Sequence, residues 1–105
     1  MEIADLQQQV LEFVKDNELE AEVETRLLDL TSEVGEVAKE ALKGSNYGEE
    51  EFAATDNWAD ELGDVLFALI CVANKTGVDL ETALNKALTK YQNRFNETGE
   101  ISSDN

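Results

Sequence analysis

Two pairs of acidic residues stand at helical spacing, Glu33-Val-Gly-Glu36 and Glu61-Leu-Gly-Asp64. Residues three or four apart share one face of a helix, so Glu33, Glu36 and Glu40 line one stripe and Glu61 and Asp64 another. Both pairs are set in apolar sequence, the first within Leu27–Ala38 and the second opening a run from Val65 to Ala73 that is hydrophobic nearly all round. A helix of that kind is buried. Carboxylates brought together in such surroundings repel one another and hold their protons more tightly unless a cation intervenes. Oxygen-only ligand sets favour the hard ions magnesium, manganese or calcium, and the chain has no histidine and one cysteine with which to build a softer site.

A second feature is cationic. From Thr82 to Asn96 there is no acid, while Lys86, Lys90 and Arg94 recur every four residues on one stripe. The stripe reads either as a solvated face, as cations complementing a helix C-terminus, or as a receiver for phosphates, with a bidentate arginine fork and a compact lysine charge. A carboxylate-held divalent ion beside such a stripe has the parts to bind a polyphosphate and hydrolyse it. Glycine-rich phosphate loops, Ser/His pairs and Cys/His pairs are missing, which excludes P-loop and triad chemistry.

The elements that must position these groups are helices. The sequence contains no proline, six glycines and 42% hydrophobic residues at a 3.6-residue period. The pattern predicts helices over about 2–16, 21–43 and 55 or 56 to 76. A fourth opens at Asp79 as cap, with Ala83, Leu84, Ala87, Leu88, Tyr91 and Phe95 facing inward. Gly44 and Gly77 are the expected stops of the second and third helices. The third should be central. The fold class expected is all-α, an antiparallel helical bundle of about four helices, with 1–98 as one domain and 99–105 as a polar, frayed tail. At 105 residues the core is modest, so an oligomer is expected.

The formal charge of −16 argues against nucleic-acid polymers and anionic membranes as partners. It is either a solubilising surface or an adaptation to high salt, where the Debye length falls to about 3 Å. The start of the chain has no secretory pattern and no apolar stretch approaches the ~20 residues of a membrane span, which points to a cytoplasmic protein. Cys71 reads as a small core residue, since no histidine is present to activate it.

Taken in order, Leu30-Thr-Ser-Glu33-Val-Gly-Glu36-Val-Ala, Glu61-Leu-Gly-Asp64-Val-Leu-Phe, Gly77-Val-Asp-Leu-Glu-Thr-Ala-Leu84 and Lys90-Tyr-Gln-Asn-Arg94-Phe resemble the MazG-type all-α nucleoside triphosphate pyrophosphohydrolases. The resemblance runs from about Leu27 to Phe95. It implies a magnesium-dependent enzyme, with manganese a plausible substitute, that cleaves a nucleoside triphosphate between its α and β phosphates. On that match Glu33, Glu36, Glu61 and Asp64 are metal ligands and Lys90 and Arg94 phosphate contacts. It further implies a homodimer or homotetramer and a housekeeping role on the nucleotide pool. Glu40 is a candidate second-metal ligand, outer partner or water-orienting base. Trp58 or Tyr47 could stack on a base, or Trp58 could pack at an interface; Asn74 and Lys75 are candidates for ribose or phosphate contact.

Two rivals compete. An acidic binding or cation-buffering protein that kept the fold without catalysis would account for the charge, but needs neither the two pairs on apolar helices nor the basic stripe. A di-iron carboxylate bundle fails for want of histidine.

Overall fold

The computed structural model describes residues 1–99, which form four helices: α1 (Ile3–Asp16), α2 (Val23–Gly44), α3 (Trp58–Lys75) and α4 (Leu80–Thr98). Among the described residues there is no strand. The expected tail lies outside the described residues except for Gly99, whose left-handed backbone (φ 76°) ends α4 while its N–H donates to the Phe95 carbonyl at 2.8 Å.

Helix ends follow from local chemistry. The Glu2 N–H donates to the Asp5 carboxylate at 2.8 Å, opening α1. Asp79 caps α4 as its sequence position implies, accepting from the N–H groups of Glu81 and Thr82 at 3.0 and 3.5 Å. Gly77, at φ 70°, supplies the left-handed residue that turns the chain out of α3. Two boundaries differ from the sequence expectation. Helix α3 starts at Trp58 after Asn57, because Thr55 is drawn instead into a bond with α2.

Gly44 is the other. It is the last residue of α2 rather than the stop beyond it, and glycine is required there for a different reason. A Cβ on Gly44 would lie 2.6 Å from the Ala53 carbonyl oxygen and 2.7 Å from the Phe52 ring. The returning loop presses against the helix end, with the Ala53 N–H donating to the Gly44 carbonyl at 2.9 Å, and Phe52 passes on to an edge contact with Trp58 at 5.0 Å.

Helix α3 is central. It packs along α2 and against α1, and supplies every buried apolar residue among those described: Ala68, Ile70, Cys71 and Ala73. Contacts between Phe13 and Phe67 (6.1 Å, edge to face) and between Gln7 and Asn74 make α1 antiparallel to α3. The Gln7 side chain is the polar hinge pin of the molecule: it donates to Val78 O at 2.8 Å and Asn74 Oδ1 at 3.1 Å, and accepts from Leu80 N at 2.9 Å. Buried amides are tolerated only when satisfied in this way.

Helix α4 packs chiefly on α1. The apolar side chains expected to face inward from it do so incompletely, with Leu84, Leu88 and Phe95 at least half exposed. The radius of gyration, 16.7 Å, exceeds the ~13 Å expected of a compact chain this long. No helix is long and apolar enough to cross a membrane.

The loop contact at Gly44 yields a stability prediction. Gly44→Ala should cost about 1–3 kcal/mol, the usual range for overpacking a tight contact, seen as a lower urea midpoint. A midpoint equal to wild type would show that Phe52 swings aside freely.

Candidate active site

Helices α2 and α3 run antiparallel, and their stripes meet as a seam that can be followed from end to end. At one end Thr55 bonds Glu40, in the middle Glu33 faces Glu61 and Asp64, and at the other Arg26 and Cys71 border one cavity.

In the middle, one carboxylate oxygen from each of Glu33, Glu61 and Asp64 lies within 4.8 Å of the others. Glu33 and Glu61 are half-buried and Asp64 is exposed, so the cluster opens to solvent on one side. It is an all-oxygen set of convergent anions, the donor chemistry that suits a hard divalent cation. Glu61 sits at the electrostatic centre: partial burial raises its pKa above 4.5, and the charges of Asp64, Glu36, Glu33 and Glu40 raise it further. Glu36 stands outside the tight group, its carboxylate 4.0 Å from Lys39 in an exposed pair, yet near enough for its charge to act on Glu61. Between the acids of each pair lies a helical glycine, Gly35 or Gly63, and beyond its own helix backbone and chain neighbours nothing packs within 4 Å of where a Cβ would be.

Glu40 is placed differently from the other acids. Its side chain is 8% exposed, accepts a short hydrogen bond from the Thr55 hydroxyl and pairs with Lys43 at 3.8 Å. The bond from Thr55 ties the loop before α3 to the body of α2. Trp58 opens α3 against Phe52. Asn74 has its amide committed to Gln7, donating to the Gln7 carbonyl at 3.0 Å and accepting from the Gln7 side chain, whereas its neighbour Lys75 is exposed.

The basic stripe is not brought to the carboxylates by the fold of a single chain as described. Lys86, Lys90 and Arg94 border an open groove along α4 with Asn85, Thr89, Asn93 and Glu97, and none of the clustered acids borders it. Lys90 and Arg94 both lie over the Tyr91 ring, at 5.1 and 5.9 Å, which holds their charges together on one side of the helix.

The sequence reading passed over Arg26. Its side chain is 12% exposed, and its guanidinium donates to the Leu19 carbonyl and approaches Asp29 at 3.9 Å. It borders the carboxylate groove together with Asp29, Glu33 and Asp64. The signal was present: Arg26, Glu33 and Glu40 are spaced by seven, two helical turns each, and so share one face.

Comparison with known proteins fits this geometry. Residues 21–99 match the model of the MazG nucleotide pyrophosphohydrolase domain. The chain belongs to that family. The MazG match begins just before α2 and takes in both acidic pairs and the basic stripe. A relative, the uncharacterized protein YpjD of Bacillus subtilis (strain 168), is 40% identical over 68 residues, an alignment covering 62% of this chain and 60% of YpjD. The chain thus spans about three fifths of that relative's length. The fold is also similar to the crystal structure of the Bacillus-conserved MazG protein, a nucleotide pyrophosphohydrolase. The TM-score is 0.73 and the identity 34%, covering 87% of this chain and 89% of that one.

The crowding around Glu61 has a measurable sign. The folded chain holds the Glu61 proton more tightly than the unfolded chain, so stability falls as pH rises from 4.5 through the raised value and stays lowest above it. In metal-free buffer Glu61→Gln should therefore melt above wild type at neutral pH, with the gap closing as the pH is lowered toward 4.5. A Glu61→Gln protein that melts below wild type at neutral pH would contradict the repulsion.

Proposed function

We propose that this chain is a nucleoside triphosphate pyrophosphohydrolase: water attacks the α phosphorus, the α–β anhydride bond breaks, and monophosphate and pyrophosphate leave. The observation that carries the reading is the convergence of Glu33, Glu61 and Asp64 oxygens on one side of the α2–α3 seam, within a chain of the MazG family. Glu33, Glu36, Glu61 and Asp64 would hold magnesium, with manganese as a substitute; Glu36 joins by a rotamer change that gives up its exposed pair with Lys39, a loss of about 0–1 kcal/mol. When bound, such an ion neutralises phosphate oxygens and lowers the pKa of water.

The protein's own groups do the rest. Glu61 stands at the electrostatic centre of the carboxylate cluster, and its part here is that of a metal ligand. Glu40, though a candidate base from sequence, is spent on Thr55 and Lys43, and its part here is to fix the start of α3 and thereby Glu61. Lys90 and Arg94 receive the departing phosphates. Because α4 packs on α1 and keeps an exposed apolar face, these two cations reach the carboxylates of a neighbouring copy in a homodimer or homotetramer. Trp58 and Lys75 flank the seam at opposite ends and are the candidates for contacts beyond the phosphates. The cytoplasm, where nucleoside triphosphates are held, is the compartment this reading implies, and removal of unwanted nucleotides is the role.

The decisive experiment incubates the protein with a panel of ribo- and deoxynucleoside triphosphates and magnesium, and identifies the products. Monophosphate plus pyrophosphate is expected. Glu61→Gln and Asp64→Asn should lower kcat by about a hundredfold or more while keeping the helical circular dichroism, and Lys90→Ala and Arg94→Ala should lose more than Lys86→Ala. Diphosphate plus phosphate as products would replace the reaction. No turnover of any triphosphate by the folded protein would favour the acidic binding protein instead.

A further inference from the structure

Apart from Glu40, the buried polar side chain among the described residues is Gln7, which takes no part in the carboxylate cluster. Its whole amide is committed where α4 begins. Nε2 donates to the Val78 carbonyl at 2.8 Å and to Asn74 Oδ1 at 3.1 Å, while Oε1 accepts from the Leu80 N–H at 2.9 Å. Asn74 returns a bond to the Gln7 carbonyl at 3.0 Å. One side chain of α1 thus grips the last turn of α3, the connecting turn and the first residue of α4.

Helix α4 does not need Gln7 in order to be a helix. Gly77 turns the chain, the Asp79 side chain caps the N–H groups of Glu81 and Thr82, and the Asp79 carbonyl accepts from Ala83, all between near neighbours in sequence. What local chemistry cannot set is the direction in which the helix leaves. No residue of α4 is buried, and its packing on α1 leaves Leu84, Leu88 and Phe95 at least half exposed. Charge at this end opposes the packing. Glu2 and Asp5 of α1 face Asp79 and Glu81, and the charge of Glu2 is first among the causes that raise the Glu81 pKa above 4.5. When ionised, these acids push α4 away from α1. The neutral Gln7 amide holds it in place.

Direction matters because of where the cations lie. Lys90 stands about 15 Å of helix beyond Leu80, so a tilt of about 10° at the pin moves its charge by about 3 Å. In a positioned reaction a misplacement of about 1 Å can cost about a hundredfold. We propose that Gln7 is a positioning residue: by fixing the departure of α4 it sets where Lys90 and Arg94 meet the phosphates. The proposal rests on the reading of the chain as a nucleoside triphosphate pyrophosphohydrolase whose departing phosphates those two cations receive.

The test follows binding of magnesium pyrophosphate by calorimetry beside turnover of triphosphates. Gln7→Met keeps the length of the side chain and removes its bonds. It should weaken pyrophosphate about tenfold and raise KM for triphosphates about tenfold. Manganese binding, measured without phosphate, should stay within about twofold of wild type, because the Gln7 bonds reach none of the clustered acids. In a Lys90→Ala/Arg94→Ala background the same substitution should change pyrophosphate affinity by about twofold or less, since the charges it aims are gone. Unchanged pyrophosphate affinity in the folded variant, a parallel loss of manganese affinity, or an equal loss in both backgrounds would show a merely structural amide and overturn the proposal. Gln7→Asn, which keeps the amide but withdraws it by one methylene, is the second variant; loss of helical circular dichroism in both would overturn it equally. If wild type releases no pyrophosphate from any triphosphate while Gln7→Met still costs it pyrophosphate affinity, the aim of α4 stands and the hydrolytic reading falls. Absence of pyrophosphate binding by wild type would remove both.

Discussion

Mutual repulsion of carboxylates across the seam between α2 and α3 is the constraint around which this small protein is arranged. Glu33, Glu61 and Asp64 are gathered within 4.8 Å, with Glu36 and Glu40 adding their charge from the same helix face as Glu33. Like charges at that distance tend to drive two helices apart. The helices are clamped on either side of the charged level instead. Toward one end the Glu40–Thr55 bond and the Gly44, Phe52 and Trp58 contacts close the loop onto α2. Toward the other lie Ala68, Ile70, Cys71 and Ala73, the buried apolar residues of α3. The repulsion is thus held in the fold as tension between the two helices.

How far this could be read from sequence depends on the range of the interactions involved. Helix identity, the Asp79 cap and the Gly77 turn are local, and the 3.6-residue period with its capping residues announces them. The pairing of Glu33 with Glu61 and Asp64 was legible because each stripe has its own spacing and its own apolar flank. Contacts between distant side chains were not legible. Nothing in the neighbourhood of Gly44 announces that Phe52 will return to it, and nothing near Asn74 announces Gln7, sixty-seven positions away. The spacing of seven puts Arg26 on the face of Glu33 and Glu40, but that it borders both the carboxylate groove and the neighbouring cavity is a property of the packed molecule.

Helix α4 shows the difference between amphipathic pattern and realised burial. Its apolar positions were read as inward, and within one chain Leu84, Leu88 and Phe95 remain half exposed because α1 alone is packed closely against them. The same helix carries the basic stripe away from the acids it would complement. One geometric fact therefore underlies both features, an apolar face left uncovered and a basic stripe held apart from the carboxylate cluster.

The open glycines of the two acidic pairs give the seam a mechanical character. Gly35 and Gly63 stand between the acids of each pair, and each forgoes about 1 kcal/mol of helix stability relative to alanine without a packing neighbour that would require it. Since the acids flanking them are brought together, the two weak points fall at nearly the same level of the helix pair. The backbone is therefore softest where the charges are densest, and amide hydrogens in this turn should be among the first to exchange with solvent when the helices breathe. Compliance of that kind lets the clustered carboxylates shift relative to one another without unfolding either helix.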